Sequence, residues 1–129
     1  MGRRILSVVA GLAAWFVVAT ILDFVLRLAL PGYHEAEPTM AFTLTMQIAR
    51  LAEGAIATLA AGLTTALVAQ GNRTIVMVLG ALLVLLFIPV HYQLRDAFPL
   101  WYHLTFLLSL FPLALIGALL VRKSPVPAP

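Results

Sequence analysis

Four long apolar stretches, separated by short polar or proline-containing segments, dominate this 129-residue chain. They cover residues 5–30, 40–69, 75–94 and 100–121. Each is long enough to cross a bilayer as an α-helix, which takes about 20 residues. Connections this short make sequential helices antiparallel neighbours. The sequence therefore predicts an all-α integral membrane protein, an antiparallel bundle of four transmembrane helices that forms a single domain over residues 1–129.

The amino-acid composition fits a membrane protein better than a soluble domain. Apolar residues make up 63% of the chain, whereas soluble domains contain about 45–50%. The chain has no cysteine, which excludes disulfides, thiolate zinc sites and iron–sulfur clusters. The formal net charge of +3 comes from basic residues scattered between the apolar stretches. Because no contiguous basic patch is available, we expect no nucleic-acid partner.

Glycine, proline and capping residues predict where the helices begin, bend and end. Thr39 is the expected N-cap of the second helix, and Gly71 lies where a helix C-terminus favours glycine. Pro89 and Pro112 are expected to kink the third and fourth helices, because proline removes a backbone hydrogen bond and crowds the preceding turn. The proline-rich tail, residues 122–129, is expected to be flexible.

The charges between the stretches predict the orientation. Basic residues collect on one side: Arg3, Arg4, Arg73, Arg122 and Lys123. The acids lie on the other side or in the adjoining half: Asp23, Glu35, Glu37, Glu53 and Asp96. Because basic loops stay in the cytoplasm, we predict a multi-pass protein of the plasma membrane, the inner membrane in a bacterium, with both termini cytoplasmic. The first stretch is too long for a signal-peptide core and lacks a cleavage site, so we expect it to be retained.

Aromatic residues at the outer ends of the stretches agree with this orientation. They are Tyr33, Tyr92, Trp101 and Tyr102. Tyrosine and tryptophan favour the headgroup layer of a membrane, because one end of the side chain is apolar and the other is polar. We therefore expect these four rings at the outer interface.

The second stretch is rich in small residues. Gly54, Thr58, Gly62 and Ala66 recur every four residues and so share one helix face, where a neighbouring backbone can approach closely. A stripe of this kind serves either packing within the bundle or a homodimer with a second copy. The sequence leaves both uses open.

Eight polar residues are predicted to form one cluster in the outer half of the membrane. They are Asp23, Arg27, Gln47, Arg50, Glu53, His91, Arg95 and His103. Charges at membrane depth are costly, so these side chains should face one another rather than lipid. The expected ion pairs are Asp23 with Arg27 or Arg50, and Glu53 with Arg50. The cluster predicts an outward-facing polar funnel with Glu53 at its floor. Such a cluster can be a binding or catalytic site, or an ion-pair network that only fixes the order and register of the helices.

His91 and His103 are placed at nearly equal depth on neighbouring helices, across the last hairpin of the chain. Two such histidines could ligate one metal ion with help from Glu53 or Asp23. Hydrogen-bonding histidines at the interface are the more common arrangement, so we expect no metal and no cofactor.

No complete catalytic motif is present, so the sequence favours a non-catalytic role. We expect a membrane component that binds a partner subunit or a small amphiphile through the polar cluster. A homodimer through the stripe of Gly54, Thr58 and Gly62 is a further expectation. The alternative is a lipid-modifying enzyme, in which Arg27 and Arg50 hold an anionic headgroup while an acid or histidine transfers protons. A small proton-coupled transporter is less favoured, because the cytoplasmic halves of the helices are nearly all aliphatic.

Overall fold

The computed structural model describes residues 2–121, which are almost entirely helical and contain no strand. The elements are α1 (Gly2–Ala29), α2 (Tyr33–Ala36), the 3-10 helix η1 (Glu37–Thr39), α3 (Leu44–Val68), α4 (Arg73–Gln93) and α5 (Leu100–Ala118). The predicted flexible tail, residues 122–129, which includes Arg122 and Lys123, lies outside the described residues.

Four of these helices, α1, α3, α4 and α5, are long and apolar enough to cross a membrane. The four helices predicted from the apolar stretches are therefore confirmed. Large apolar side chains cover their outward faces; Ile21, Leu85 and Leu108 are 58%, 65% and 72% exposed. So much exposed apolar surface on one small chain requires an apolar environment or a partner.

α1 and α3 run antiparallel, and polar side chains fix their register. The Thr65 hydroxyl donates to the Ser7 carbonyl oxygen at 2.9 Å, and the Trp15 indole donates to the Thr58 hydroxyl at 3.0 Å. All four residues are buried. Because buried polar groups need partners, each of these bonds holds one helix at a defined position along the other.

The stripe of small residues on α3 is occupied by the chain's own helices. Gly54 faces the Phe106 ring, and Gly62 faces the Ala114 carbonyl so closely that an added Cβ would overlap it. Thr58 is fully buried against α1. These contacts show that α3 and α5 run parallel. Of the two uses that the sequence leaves open, packing within the chain accounts for these three stripe residues.

α4 completes the bundle by packing chiefly against α5, with which it is antiparallel. Its Phe87 ring lies 5.2 Å from the Phe106 ring of α5 and 4.6 Å from the Trp15 ring of α1. α4 makes less contact with α3, although the shortest connection in the bundle joins the two. Around the bundle the helices follow the order α1, α3, α5, α4.

The connection between α1 and α3 differs from the prediction. Thr39 is not the N-cap of the second long helix, because it belongs to η1. The cap is Thr43, whose hydroxyl accepts the Met46 amide at 3.3 Å. Between α1 and α3 the chain forms α2 and η1, two short helices that the sequence did not predict, and α2 carries the Tyr33 side chain into the bundle. Helix α3 therefore begins later than predicted.

The glycine predicted to end a helix and the two prolines predicted to lie within helices are found at the expected positions. Gly71 follows α3 with a φ of 81°, a left-handed conformation that suits glycine. Pro89 and Pro112 lie inside α4 and α5, and both helices continue past them. The kinks expected at these prolines stay a prediction.

Candidate functional site

A cleft of about 550 Å³ lies between α1 and α4, in the half of the bundle that carries α2 and η1. α3 and α5 form its back wall, and Glu37 and Met40 contribute to its end. Three of its lining side chains, Phe16, Phe24 and Val90, are 48%, 58% and 41% exposed. These side chains mark the open side of the cleft, between α1 and α4. Its volume lies in the range of about 300–1,000 Å³ that is usual for small-molecule sites.

Aromatic side chains form the inner end of the cleft. Trp15, Phe16, Phe87 and Phe106 line it there. The Phe16 ring lies 6.3 Å from the Phe87 ring, and the Trp15 ring is only 7% exposed because α3 and α5 cover its other side. The inner end is therefore apolar, and the approach of Trp15 and Phe16 to Phe87 brings α1 and α4 together there.

Arg27 organises the outer end of the cleft by pairing with two carboxylates. Its guanidinium lies 3.1 Å from Asp23, as predicted for residues four apart on a helix. It also donates two hydrogen bonds to Glu37, at 2.6 and 2.9 Å. These bonds lower the pKa of Glu37, which keeps that carboxylate ionised. From the sequence Glu37 is only one of the acids on the outer side, so its pairing with Arg27 is not predicted.

The Arg50 guanidinium is held by hydroxyl groups and aromatic faces. Its Nη1 donates to the Tyr33 hydroxyl at 2.8 Å, and its Nε donates to the Tyr102 hydroxyl at 3.3 Å. The guanidinium carbon lies 4.8 Å from the Phe42 ring centroid and 5.8 Å from that of Phe98. Both are within the distance at which a cation is attracted to an aromatic face.

The predicted ion pair between Arg50 and Glu53 is wrong. No carboxylate among residues 2–121 lies within 4.0 Å of the Arg50 guanidinium. Helical side chains tilt toward the N-terminus of their helix, so Arg50 reaches toward the end of α3 where Tyr33 lies. Glu53 is one turn further along in the opposite direction. The expected contact between Arg50 and Asp23 is indirect, through the Tyr33 hydroxyl.

Tyr33 links the two arginine networks. Its hydroxyl accepts from Arg50 and donates to the Asp23 carboxylate at 3.1 Å. The side chain is fully buried, and burial raises the pKa of its hydroxyl, so the proton needed for the bond to Asp23 is retained. One continuous chain of hydrogen bonds and one ion pair, that of Arg27 with Asp23, therefore runs from Glu37 through Arg27, Asp23 and Tyr33 to Arg50.

The aromatic residues expected at the outer interface divide into two pairs. Tyr92 and Trp101 are 66% and 42% exposed, as an interfacial position requires. Tyr33 and Tyr102 lie at the same end of the bundle, as predicted, but they are 0% and 4% exposed and so do not reach its surface. Their rings pack inside the bundle because their hydroxyls are needed by Arg50.

The Glu53 carboxylate lies in the cleft without a cation beside it. The register of α1 and α3, fixed by Trp15 on Thr58, places Glu53 opposite Thr20. Because Glu53 is three residues further along α3 than Arg50, it lies about 4.5 Å deeper in the bundle. Within residues 2–121, no arginine, lysine or histidine nitrogen comes within ion-pair distance of it. Glu53 is the innermost charged residue of the lining, but the cleft continues inward to Trp15, so the floor predicted at Glu53 is formed by aromatic side chains instead.

His91 and His103 lie side by side, as their predicted equal depth requires. Their Nδ1 atoms are 2.6 Å apart, so one imidazole donates a hydrogen bond and the other accepts it. His91 lines the cleft, whereas His103 lies behind it, and its Nε2 has no partner among the described residues. The described part of the chain contains no group of three histidine, aspartate or glutamate residues suited to a metal ion.

Gln47 and Arg95 lie away from the cleft. The Gln47 amide donates to the Phe42 carbonyl at 3.4 Å. Arg95 is exposed; it donates to the Tyr92 carbonyl at 2.9 Å and lies over that ring. Of the eight residues in the predicted cluster, the lining of the cleft includes five and leaves out Gln47, Arg95 and His103.

The cleft combines ionic and hydrogen-bonding groups in its outer part with aromatic rings in its inner part. Its open side faces the apolar exterior of the bundle, between α1 and α4. Such a surface can receive a molecule that has both a polar and an apolar portion. Comparisons of the chain with protein-family models, with curated proteins and with solved structures find no match.

Proposed function

We propose that this chain is a non-catalytic, multi-pass membrane protein that binds a small amphiphile in the cleft between α1 and α4. Four helices of sufficient length and apolarity support the membrane location. The exposed apolar side chains on their outward faces support it as well, because lipid tails would cover them without further cost.

The distribution of charge supports an orientation with the cleft in the outer leaflet. Arg3, Arg4 and Arg73 lie at one end of the bundle. The acids Glu35 and Asp96 lie at the opposite end, near the cleft. By the positive-inside rule, the basic end faces the cytoplasm of a plasma membrane, and both termini are on that side.

The lateral opening with mixed polarity is the single observation that carries the proposal. On α1 the lining runs from Arg27 to Trp15, a distance of about 18 Å along the helix axis. A headgroup in the outer part would meet charged and hydrogen-bonding groups. An acyl or alkyl tail would lie against the aromatic inner end or leave between α1 and α4 into the bilayer. An amphiphile in the membrane can enter this cleft without crossing water.

Filling the cleft tests the proposal. Ala19 lines the cleft, whereas Ala13 is exposed on the same helix. In native mass spectra recorded from mild detergent, Ala19→Phe is expected to bind the co-purified amphiphile with about tenfold lower affinity than the parent protein. This corresponds to a loss of about 1.4 kcal/mol of binding free energy. Ala13→Phe, the matched control, is expected to retain it. The ring in Ala19→Phe would occupy the volume that the ligand needs.

Equal retention of amphiphile by the two variants would show that it does not occupy the cleft. A stoichiometric protein in place of lipid, lost from neither variant, would favour the partner-subunit role instead. Thermal unfolding of both variants provides the folding control, because each variant adds the same phenyl group to the same helix.

A further inference from the structure

We infer that the amphiphile carries a protonated amine and that Glu53 is the residue that binds it. This inference rests on the proposed function, because it assigns the chemical class of the headgroup that the cleft receives. The headgroup charge is thus opposite to that in the lipid-modifying alternative drawn from the sequence, in which Arg27 and Arg50 hold an anionic headgroup.

Both arginines in the cleft are already engaged by groups of the chain. Arg27 is shared by Asp23 and Glu37, with all three contacts at 3.1 Å or less. Arg50 donates to the Tyr33 and Tyr102 hydroxyls. At Arg27 an anionic headgroup would compete with two carboxylates. At Arg50 it could use only the N–H groups that the two tyrosines do not take, and the three carboxylates of the lining, Asp23, Glu37 and Glu53, would repel it.

The carboxylates of the cleft outnumber its guanidinium groups. Asp23, Glu37 and Glu53 line it with Arg27 and Arg50. Arg27 already satisfies Asp23 and Glu37, so the carboxylate without a cation is Glu53. An unpaired carboxylate at membrane depth is unfavourable, and a ligand ammonium group would supply the missing positive charge together with hydrogen-bond donors.

The surroundings of Glu53 suit an amine with an apolar tail. Glu53 is half-buried on the back wall, between the outer network and the aromatic end formed by Trp15 and Phe106. A headgroup bound to Glu53 would place the adjoining carbons beside these rings. The tail could then follow the open side past Phe16 into the bilayer.

Three amphiphiles with the same chain and different headgroups test the inference. Dodecylamine is cationic, dodecanol is neutral and dodecanoate is anionic. Binding to the purified full-length chain is measured by displacement of co-purified amphiphile in native mass spectra. The expected order of affinity is dodecylamine, then dodecanol, then dodecanoate. Glu53→Gln is expected to reduce the preference for the amine over the alcohol about tenfold, because the amide keeps the shape and removes the charge.

Glu35→Gln is the matched control, because Glu35 is exposed and lies outside the cleft; it should keep the full amine preference. A tighter complex with dodecanoate, or an unchanged preference in a folded Glu53→Gln variant, would overturn the inference. If Glu53→Gln does not fold, the order of the three ligands on the parent protein decides. If all three ligands bind equally and Ala19→Phe abolishes their binding, the cleft proposal stands and the amine inference fails.

Discussion

Replacing Arg50 with alanine is expected to destabilise the protein by about 3 kcal/mol, because hydrogen bonds from a charged group contribute roughly 1.5–3 kcal/mol each. The guanidinium donates two of them, to the Tyr33 and Tyr102 hydroxyls. It also lies over the Phe42 and Phe98 rings. Without it, the buried Tyr102 hydroxyl has no partner among the described residues, and α2 loses its bond to α3.

Arg95→Ala is the matched control for this loss. Arg95 also contacts a tyrosine, through the Tyr92 carbonyl and ring. However, Arg95 is exposed, and its partner is only three residues away in the sequence, so the contact joins no two helices. Its removal is expected to change stability by less than about 0.5 kcal/mol. Unfolding by SDS titration measures both variants. Equal, small effects would show that Arg50 does not hold the outer ends of the helices together.

Replacing Gly62 with alanine is expected to destabilise the bundle by about 2 kcal/mol, a value typical of overpacking. Alanine normally favours a helix over glycine by about 1 kcal/mol, so the expected sign is opposite to the intrinsic preference. The reason is steric. A Cβ at Gly62 would overlap the backbone carbonyl of Ala114, and neither helix backbone can move without separating α3 from α5.

Gly2→Ala is the control for this substitution, because nothing lies within 4 Å of a Cβ at Gly2. That variant should be neutral or slightly more stable in the same SDS titration. An increase in stability for Gly62→Ala would contradict the close parallel approach of α3 and α5.

The long helices are largely predictable, because the length of an apolar stretch and the glycine and polar residues that end it are local features of the sequence. Gly71 and the polar residues around it end one helix and begin the next. The short α2 was not predicted, because its four residues carry no apolar period. Burial of Tyr33 and its bonds to residues on α1 and α3 fix that segment, and these contacts exist only after the bundle has assembled.

The candidate site is predictable where partners are close in sequence. Asp23 and Arg27, four residues apart on one helix, pair as expected. Arg50 finds its partners at separations of 17 and 52 residues, which depend on how the helices are arranged. The preference of tyrosine for the interface placed Tyr102 at the correct end of its helix. That preference does not say whether the ring points outward or inward. The signal that could have indicated an inward ring is Arg50, because a buried guanidinium needs hydrogen-bond acceptors and a tyrosine hydroxyl is one.

Fluorescence quenching of Trp15 tests most directly whether an amphiphile's tail enters the cleft. The chain has two tryptophans, so Trp101→Phe leaves Trp15, at the inner end of the cleft, as the only one. An alkylamine brominated on its tail is expected to quench Trp15 saturably, and Ala19→Phe in the same background is expected to abolish that quenching. Absence of quenching, or quenching that grows without saturation and equally in both proteins, would contradict the account.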